Sequence, residues 1–245
     1  DLEIMLEMGA NTVRLAHYQH AQYFYDLCDE AGMIVWAEIP YITRHMEPGN
    51  ANTISQMTEL IVQNYNHPSI ICWGLSNEIT AAGGVTEEMV ANHRVLNDLC
   101  HKMDATRPPT MAHAFMLDPN DDFVFLSDIR SYNLYFGWYI GEKEQNDSWF
   151  DDFHAAHPDQ VIGLSEFGAD ANPAYQSAKP EKGDWTESDQ AVYHEHMLAM
   201  WKERPDIWAM HVWHMFDFSA DGRSEGGKTG TTRKGRVHCG RTTRR

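Results

Sequence analysis

Short apolar runs alternate with longer stretches of helical periodicity along most of this chain. Seven runs read as strands: residues 12–17, 33–38, 69–78, 109–114, 128–135, 160–167 and 207–218. Most are apolar nearly throughout, as strands covered on both faces must be. Between them, residues 22–31 lead into a glycine, residues 54–65 stop before Asn66-His67-Pro68, and residues 86–103 open on Thr86-Glu87-Glu88. Residues 188–203 carry acids early and Lys202 late, with Arg204 just beyond, the order a helix dipole favours.

Strand followed by helix, repeated, predicts a parallel sheet covered by helices. The chain opens in a helical pattern that stops at Gly9, so seven strands and one further upstream predict an α/β fold, a (β/α)8 TIM barrel entered just before its second strand. A doubly wound sheet competes, but the glycine-rich phosphate turn it usually shows after an early strand is absent. In a barrel, chemistry gathers at the C-terminal ends of the strands. Two of these ends are acidic: residues 69–78 run into Glu78 and residues 160–167 into Glu166.

Composition narrows the reading. The 245 residues suffice for one large domain, and no segment approaches the roughly 20 apolar residues a membrane helix needs. A formal net charge of -17 opposes phosphate neutralisation, which excludes nucleic acid as a natural partner and suggests a neutral substrate. Cys28, Cys72, Cys100 and Cys239 are scattered, without a C-x-x-C pair, and read as free thiols in a reducing, cytoplasmic setting. Residues 228–245 hold seven Lys or Arg and no acid. That break divides the chain into a catalytic domain, 1–227, and a basic, solvated or aberrant tail, 228–245.

A carboxylate pair is the equipment for breaking a glycosidic bond. Glu78 reads as the general acid and then base, a role that needs a raised pKa, and Glu166 reads as the ionised nucleophile. Arg14 and Tyr135, at other strand ends, are candidate partners for Glu166. His17 and Asn133 are placed to meet sugar hydroxyls, and Trp213 to form a sugar platform. Glu38 either joins the pocket or orients its neighbours, and His113 is open between the same alternatives. The pairs His17/His20, His154/His157 and His194/His196 match no metal-binding spacing, so no metal site is expected.

Taken in order, these segments resemble the catalytic barrel of glycoside hydrolase family 2, the β-galactosidase and β-glucuronidase group, over roughly residues 1–227. Arg14-Leu15-Ala16-His17-Tyr18 is similar to its second-strand segment. Asn66-His67-Pro68-Ser69-Ile70 with Trp73 and Asn77-Glu78 is similar to its acid/base segment. Ser165-Glu166-Phe167-Gly168 resembles its nucleophile segment, and residues 213–218 with Asp221-Gly222-Arg223 its last strand. His214 stands where the family usually has Asn.

The resemblance implies a retaining exo-β-glycosidase with Asn77 on the 2-hydroxyl and Tyr135 on the nucleophile. It also implies β-sandwich domains upstream, a bacterial, cytoplasmic setting, and the possibility of a homo-oligomer in the full-length protein. No cofactor is implied for the chemistry. Mg²⁺ or Na⁺ serves related enzymes, with no ligands assignable here. The stretches 132–141 and 165–173 favour a β-galactoside or oligosaccharide substrate. The alternatives are β-glucuronidase activity, for which Arg233-Lys234-Gly235 lacks the expected Asn-x-Lys element, and a catalytically inert sugar-binding fragment.

Overall fold

The computed structural model describes residues 1–225 and 228–235. Helices and strands alternate as the sequence predicts, in the order of a (β/α)8 barrel, and the chain divides into two compact units, Asp1–Asn133 and the segment from Leu134 onward.

The first unit runs α1 (Leu2–Glu7), β1 (Thr12–Leu15), α2 (Gln22–Ala31), β2 (Ile34–Glu38), α3 (Asn50–Asn64), β3 (Ile70–Asn77), α4 (Glu87–Met103), β4 (Pro109–Ala114) and β5 (Ile129–Asn133). All neighbouring strands pair in parallel, with Arg14 opposite Trp36, Glu38 opposite Gly74, Asn77 opposite Ala112 and Ala114 opposite Asn133. Gly74 is required at its place. A Cβ there would collide with the Glu38 Cβ and the Trp36 indole, so glycine on β3 leaves room for the two large side chains of β2. The register shifts between Gly74 and Asn77, which re-aims the end of β3. Glu78 follows immediately in a left-handed conformation, φ 45°, with its N–H donating to the Ala112 carbonyl at 2.8 Å. The chain turns out of the sheet at that carboxylate.

Helix ends follow their local chemistry. Helix α2 ends at Gly32, whose left-handed φ of 68° suits a residue with no side chain. The Thr86 hydroxyl caps α4 by accepting from the Met89 N–H, with Glu87 and Glu88 in the first turn and His101 and Lys102 in the last. Met89, His93, Leu96 and Cys100 form its buried face. Cys28, Cys72 and Cys100 are buried free thiols whose pKa values burial raises, so each stays protonated and inert. Cys239 lies outside the described residues.

The second unit holds α5 (Gln145–Ala156), β6 (Ile162–Phe167), α6 (Glu187–Lys202), β7 (Ile207–Val212), β8 (Phe218–Glu225) and β9 (Lys228–Thr232). Strands β6 and β7 pair in parallel, and β8 and β9 form an antiparallel pair. Two expectations change here. The run 207–218 is not one strand: β7 stops at Val212, and the chain resumes as β8 only at Phe218. The basic stretch does not begin as a solvated tail either. Lys228–Thr232 pairs with β8, and Lys234 beyond it is buried. Composition hid this because alternating threonines and glycines carry no apolar signal, although threonine suits a strand. Residues 236–245 of the expected tail lie outside the described residues. Among the described residues, no helix is long and apolar enough to cross a membrane.

One polar anchor ties β3 to the turn before β4. The Asp104 side chain, fully buried, accepts from the Trp73 indole at 3.1 Å, from Arg107 Nη1 at 2.7 Å and from the Thr106 hydroxyl at 2.5 Å. Burial alone would raise its pKa, but Thr106, Arg107 and Trp73 outweigh it and hold the carboxyl at about 2. A folded-state value below the unfolded one stabilises at pH above about 4 and is lost as pH falls toward 2. The contribution at neutral pH is about 2 kcal/mol. Chemical denaturation as a function of pH should show this slope between about pH 4 and pH 2, and Asp104→Asn should flatten it. An unchanged slope in that variant would remove Asp104 from the account.

Candidate active site

In the first unit, the ends of β1, β2, β3 and β5 deliver one polar cluster. Glu38, only 1% exposed, closes β2. The Arg14 guanidinium forks onto it, Nε to Oε2 at 2.8 Å and Nη2 to Oε1 at 3.0 Å. The same Nη2 donates to the Asn77 carbonyl Oδ1 at 2.8 Å, and Asn133 Nδ2 reaches that oxygen at 3.1 Å. His17 Nδ1 lies 2.9 Å from Glu38 Oε1. The Trp36 ring carries the guanidinium carbon 4.9 Å from its centroid. Burial works to raise the Glu38 pKa, but Arg14 and His17 prevail and hold it below the ordinary carboxylate value. Glu38 is therefore an anion held by a permanent cation.

Arg14, His17, Glu38, Asn77 and Asn133, five of the sequence candidates, thus form one connected group, beside the backbone that carries Glu78. His113 does not share it. Its ring packs edge-on to Phe123 at 5.6 Å and against Tyr132 at 5.2 Å. Burial, with His93 and Arg130 nearby, pushes its pKa down to about 3, so it stays neutral.

In the second unit, Glu166 sits near the end of β6, 6% exposed. The Tyr135 hydroxyl donates to Glu166 Oε2 at 2.9 Å, and the Leu134 N–H donates to the Glu166 carbonyl at 2.9 Å. Gly168 follows, where a Cβ would run into the Trp213 carbonyl, and the Trp213 N–H donates to Phe167 at 2.8 Å. Trp213 is half-buried beside this turn.

The sequence reading missed a second feature of this unit. Lys234, 1% exposed, places its ammonium 2.7 Å from the Tyr139 hydroxyl and 3.5 Å from Asp170 Oδ2. It also lies over the Tyr139 ring at 4.6 Å and the Trp138 ring at 5.4 Å. Tyr139 in turn stands against Tyr135, ring centroids 5.1 Å apart. Asp170 accepts from the Arg233 N–H at 3.0 Å, and Asp217 from the Gly235 N–H at 3.0 Å, so backbone bonds hold the segment that carries Lys234. His214, where the family usually has Asn, meets the Thr232 hydroxyl at 2.9 Å. No local signal marked it, since the segment around Lys234 holds no acid and Asp170 is 64 positions away along the chain.

The histidine pairs resolve into separate contacts, His154 with Asp206 and His196 with Asp147, each at 2.9 Å. Among the described residues, Asp26, Asp29 and His67 are grouped closely enough to hold a metal ion. Asp29, however, is taken up by His67 Nδ1 at 2.6 Å and by the Ser69 N–H at 3.0 Å, and His67 Nε2 lies 3.3 Å from Gln22. These bonds describe an anchor between α2 and the start of β3.

The fold has counterparts among known proteins. The model for "Glycosyl hydrolases family 2, TIM barrel domain" matches residues 1–226. A β-glucuronidase from Bacteroides fragilis is 38% identical over 259 residues, covering 100% of this chain and 36% of the relative. A crystal structure described as an FMN-binding β-glucuronidase from Facaelibacterium prausnitzii L2-6 superposes with a TM-score of 0.96 at 48% identity, over 99% of this chain and 38% of that one. A β-galactosidase from Lactococcus lactis is 35% identical over 117 residues, covering 44% of this chain and 11% of the relative. The chain thus spans little more than a third of the length of the two relatives that it matches throughout.

The Arg14–Glu38 pair supplies a direct test of the cluster. Arg14→Met leaves a buried carboxylate without its cation and should cost about 3–5 kcal/mol in urea denaturation. Restoring neutrality with Arg14→Met/Glu38→Gln should recover a large part of that loss. A single variant as stable as the parent would show that the guanidinium does not hold Glu38.

Proposed function

Because this chain belongs to glycosyl hydrolase family 2, we propose that it carries the chemistry of a retaining exo-β-glycosidase, with Glu166 as nucleophile and Glu78 as acid and then base. Attack by Glu166 on the anomeric carbon forms a glycosyl–enzyme ester as Glu78 protonates the departing oxygen. Glu78 then takes a proton from water, which opens the ester with retained configuration. The Tyr135 hydroxyl on Glu166 Oε2 supports this assignment, since it orients the carboxylate. The left-handed turn at Glu78 supports the other half, since the chain leaves the sheet at this part-exposed residue. Asn77 and His17 would meet sugar hydroxyls. The chemistry asks for carboxyls about 5–5.5 Å apart.

The sugar is the finer question, and the single observation that carries our reading is Lys234. A buried ammonium against Tyr139, itself packed on the Tyr135 that serves Glu166, suits a substrate with a carboxylate. We therefore read the substrates as terminal β-D-glucuronides rather than the β-D-galactosides that the sequence favoured. Thr232-Arg233-Lys234 keeps the lysine of an Asn-x-Lys spacing, with threonine in the first place. On this reading the net charge of -17 is a weak argument against an anionic sugar. Screening confines distant solvated acids to about 10 Å at ordinary salt, so the total charge says little about the field beside Lys234, where Asp170 is the near acid. The identities of the Bacteroides and Facaelibacterium relatives favour the same sugar. β-Galactosidase activity remains the second reading, favoured by the Lactococcus relative.

The test compares aryl β-glucuronide and aryl β-galactoside as substrates of the full-length protein. The glucuronide should be preferred in kcat/KM by at least about a hundredfold, the scale at which a site built for a polar group rejects its absence. Lys234→Ala should remove most of that preference while changing galactoside turnover little. Glu166→Gln should abolish both activities. A Lys234→Ala enzyme with unaltered preference would reject the sugar assignment, and an active Glu166→Gln enzyme would reject the nucleophile.

A further inference from the structure

We propose that Glu38 is a positioning residue that sets the hydrogen-bond polarity of two sugar-facing side chains, locking His17 as its Nδ1–H tautomer and, through Arg14, fixing the amide of Asn77 with its NH2 outward. The inference rests on the glycosidase reading for its purpose, though its geometry stands independently.

The carboxylate is the one chemical group that satisfies all three of its contacts. Glu38 Oε2 faces Arg14 Nε at 2.8 Å, while Oε1 faces Arg14 Nη2 at 3.0 Å and His17 Nδ1 at 2.9 Å. Arginine offers only donors, so both oxygens must accept. An ionised oxygen already receiving Arg14 has nothing to donate to the imidazole. In the neutral imidazole the His17 proton therefore resides on Nδ1, which leaves Nε2 the acceptor. The 3.4 Å approach of Arg14 Nη2 to the same Nδ1 is a long contact between two N–H-bearing groups, each directed at Glu38.

Asn77 is set by the same relay. Two donors, Arg14 Nη2 at 2.8 Å and Asn133 Nδ2 at 3.1 Å, converge on one atom of its amide. Only the carbonyl oxygen can accept both, so this atom is Oδ1 and the amide cannot be reversed. Asn77 then has its NH2 to offer. A sugar arriving here meets one acceptor, His17, and one donor, Asn77. A hydroxyl can satisfy either in turn, and the network decides which role each hydroxyl plays.

Glutamine at position 38 cannot reproduce the arrangement. With its oxygen toward His17, its NH2 opposes Arg14 Nε–H. With its oxygen toward Arg14 Nε, its NH2 points at His17 Nδ1 and draws the imidazole proton to Nε2. The experiment uses full-length protein with 15N-labelled histidine at alkaline pH, where the imidazoles are neutral. Its two ring-nitrogen resonances reveal the tautomer, and His17 is identified by the signal lost in His17→Gln. We expect Nδ1–H in the parent and an Nε2–H population in Glu38→Gln. Nε2–H in the parent, a measurement that needs no variant to fold, would overturn the inference. The same tautomer in parent and folded Glu38→Gln would also overturn it.

Kinetics supply the second arm. Glu38→Gln should lower kcat/KM for an aryl β-glucuronide at least tenfold and narrow its advantage over the 2-deoxy analogue. Equal losses on both substrates would reduce Glu38 to a structural part and reject the positioning role. A protein that hydrolyses no glycoside yet holds His17 as Nδ1–H sinks the glycosidase reading and leaves the tautomer lock standing. Turnover with His17 protonated on Nε2 does the reverse.

Discussion

Burying Glu38 beside Arg14 is the constraint around which the first unit is arranged. Neither charge could enter the interior alone, since desolvating an isolated ion costs far more than a domain can supply. Together they are 1% and 3% exposed at the side chain and joined by two short hydrogen bonds. A buried pair of this kind adds little net stability over an apolar substitute, so its retention points to what it organises. It fixes the relative placement of β1, β2 and β3 ends at side-chain precision. Gly74 is the steric condition for that contact, because only a residue without a Cβ leaves room for Glu38 and Trp36 on the neighbouring strand.

A different electrostatic logic governs the second unit. Lys234 is buried in a strongly acidic chain, with Asp170 3.5 Å away and two aromatic rings against its ammonium. Asp170 compensates the charge, while the rings and the Tyr139 hydroxyl hold its position. A cation so confined pays little conformational entropy when an anion arrives, which is the advantage of preorganisation. On the proposed reading, the two units then supply different things. The cluster around Glu38 sets hydrogen-bond polarity toward hydroxyls, and the Lys234 cage sets charge.

The strands and the main helices were legible because their signals are local. Apolar runs, the Thr86 cap and the Gly32 stop act within a few residues of one another, so order along the chain suffices to read them. The same holds for Glu38, Asn77 and Glu166, polar residues at the ends of apolar strands. Helix α5 was missed because its core face includes Asn146 beside Phe150 and Phe153, which weakens the apolar period. The run 207–218 misled because Phe216 and Phe218 continue an apparent strand pattern past the point where β7 ends. Lys234 was beyond reach for a deeper reason. Its burial depends on Asp170 and Tyr139, distant in sequence, and a basic composition looks solvated unless those partners are known.

That contrast bears on how activity and selectivity divide in such a chain. Glu78 and Glu166 are announced by strands whose apolar character the fold itself demands, so their placement follows from packing. Lys234 sits just past β9, outside the strand–helix repeat, where the backbone is held by Asp170 and Asp217 rather than by a core. Changing that segment need not disturb β3 or β6. On the proposed reading, a family can therefore exchange the group that reads the sugar while keeping the carboxylates that break the bond. The relatives, named for either glucuronide or galactoside hydrolysis, are consistent with such a division. On that reading, selectivity lies just past β9 and the bond-breaking chemistry at the ends of β3 and β6.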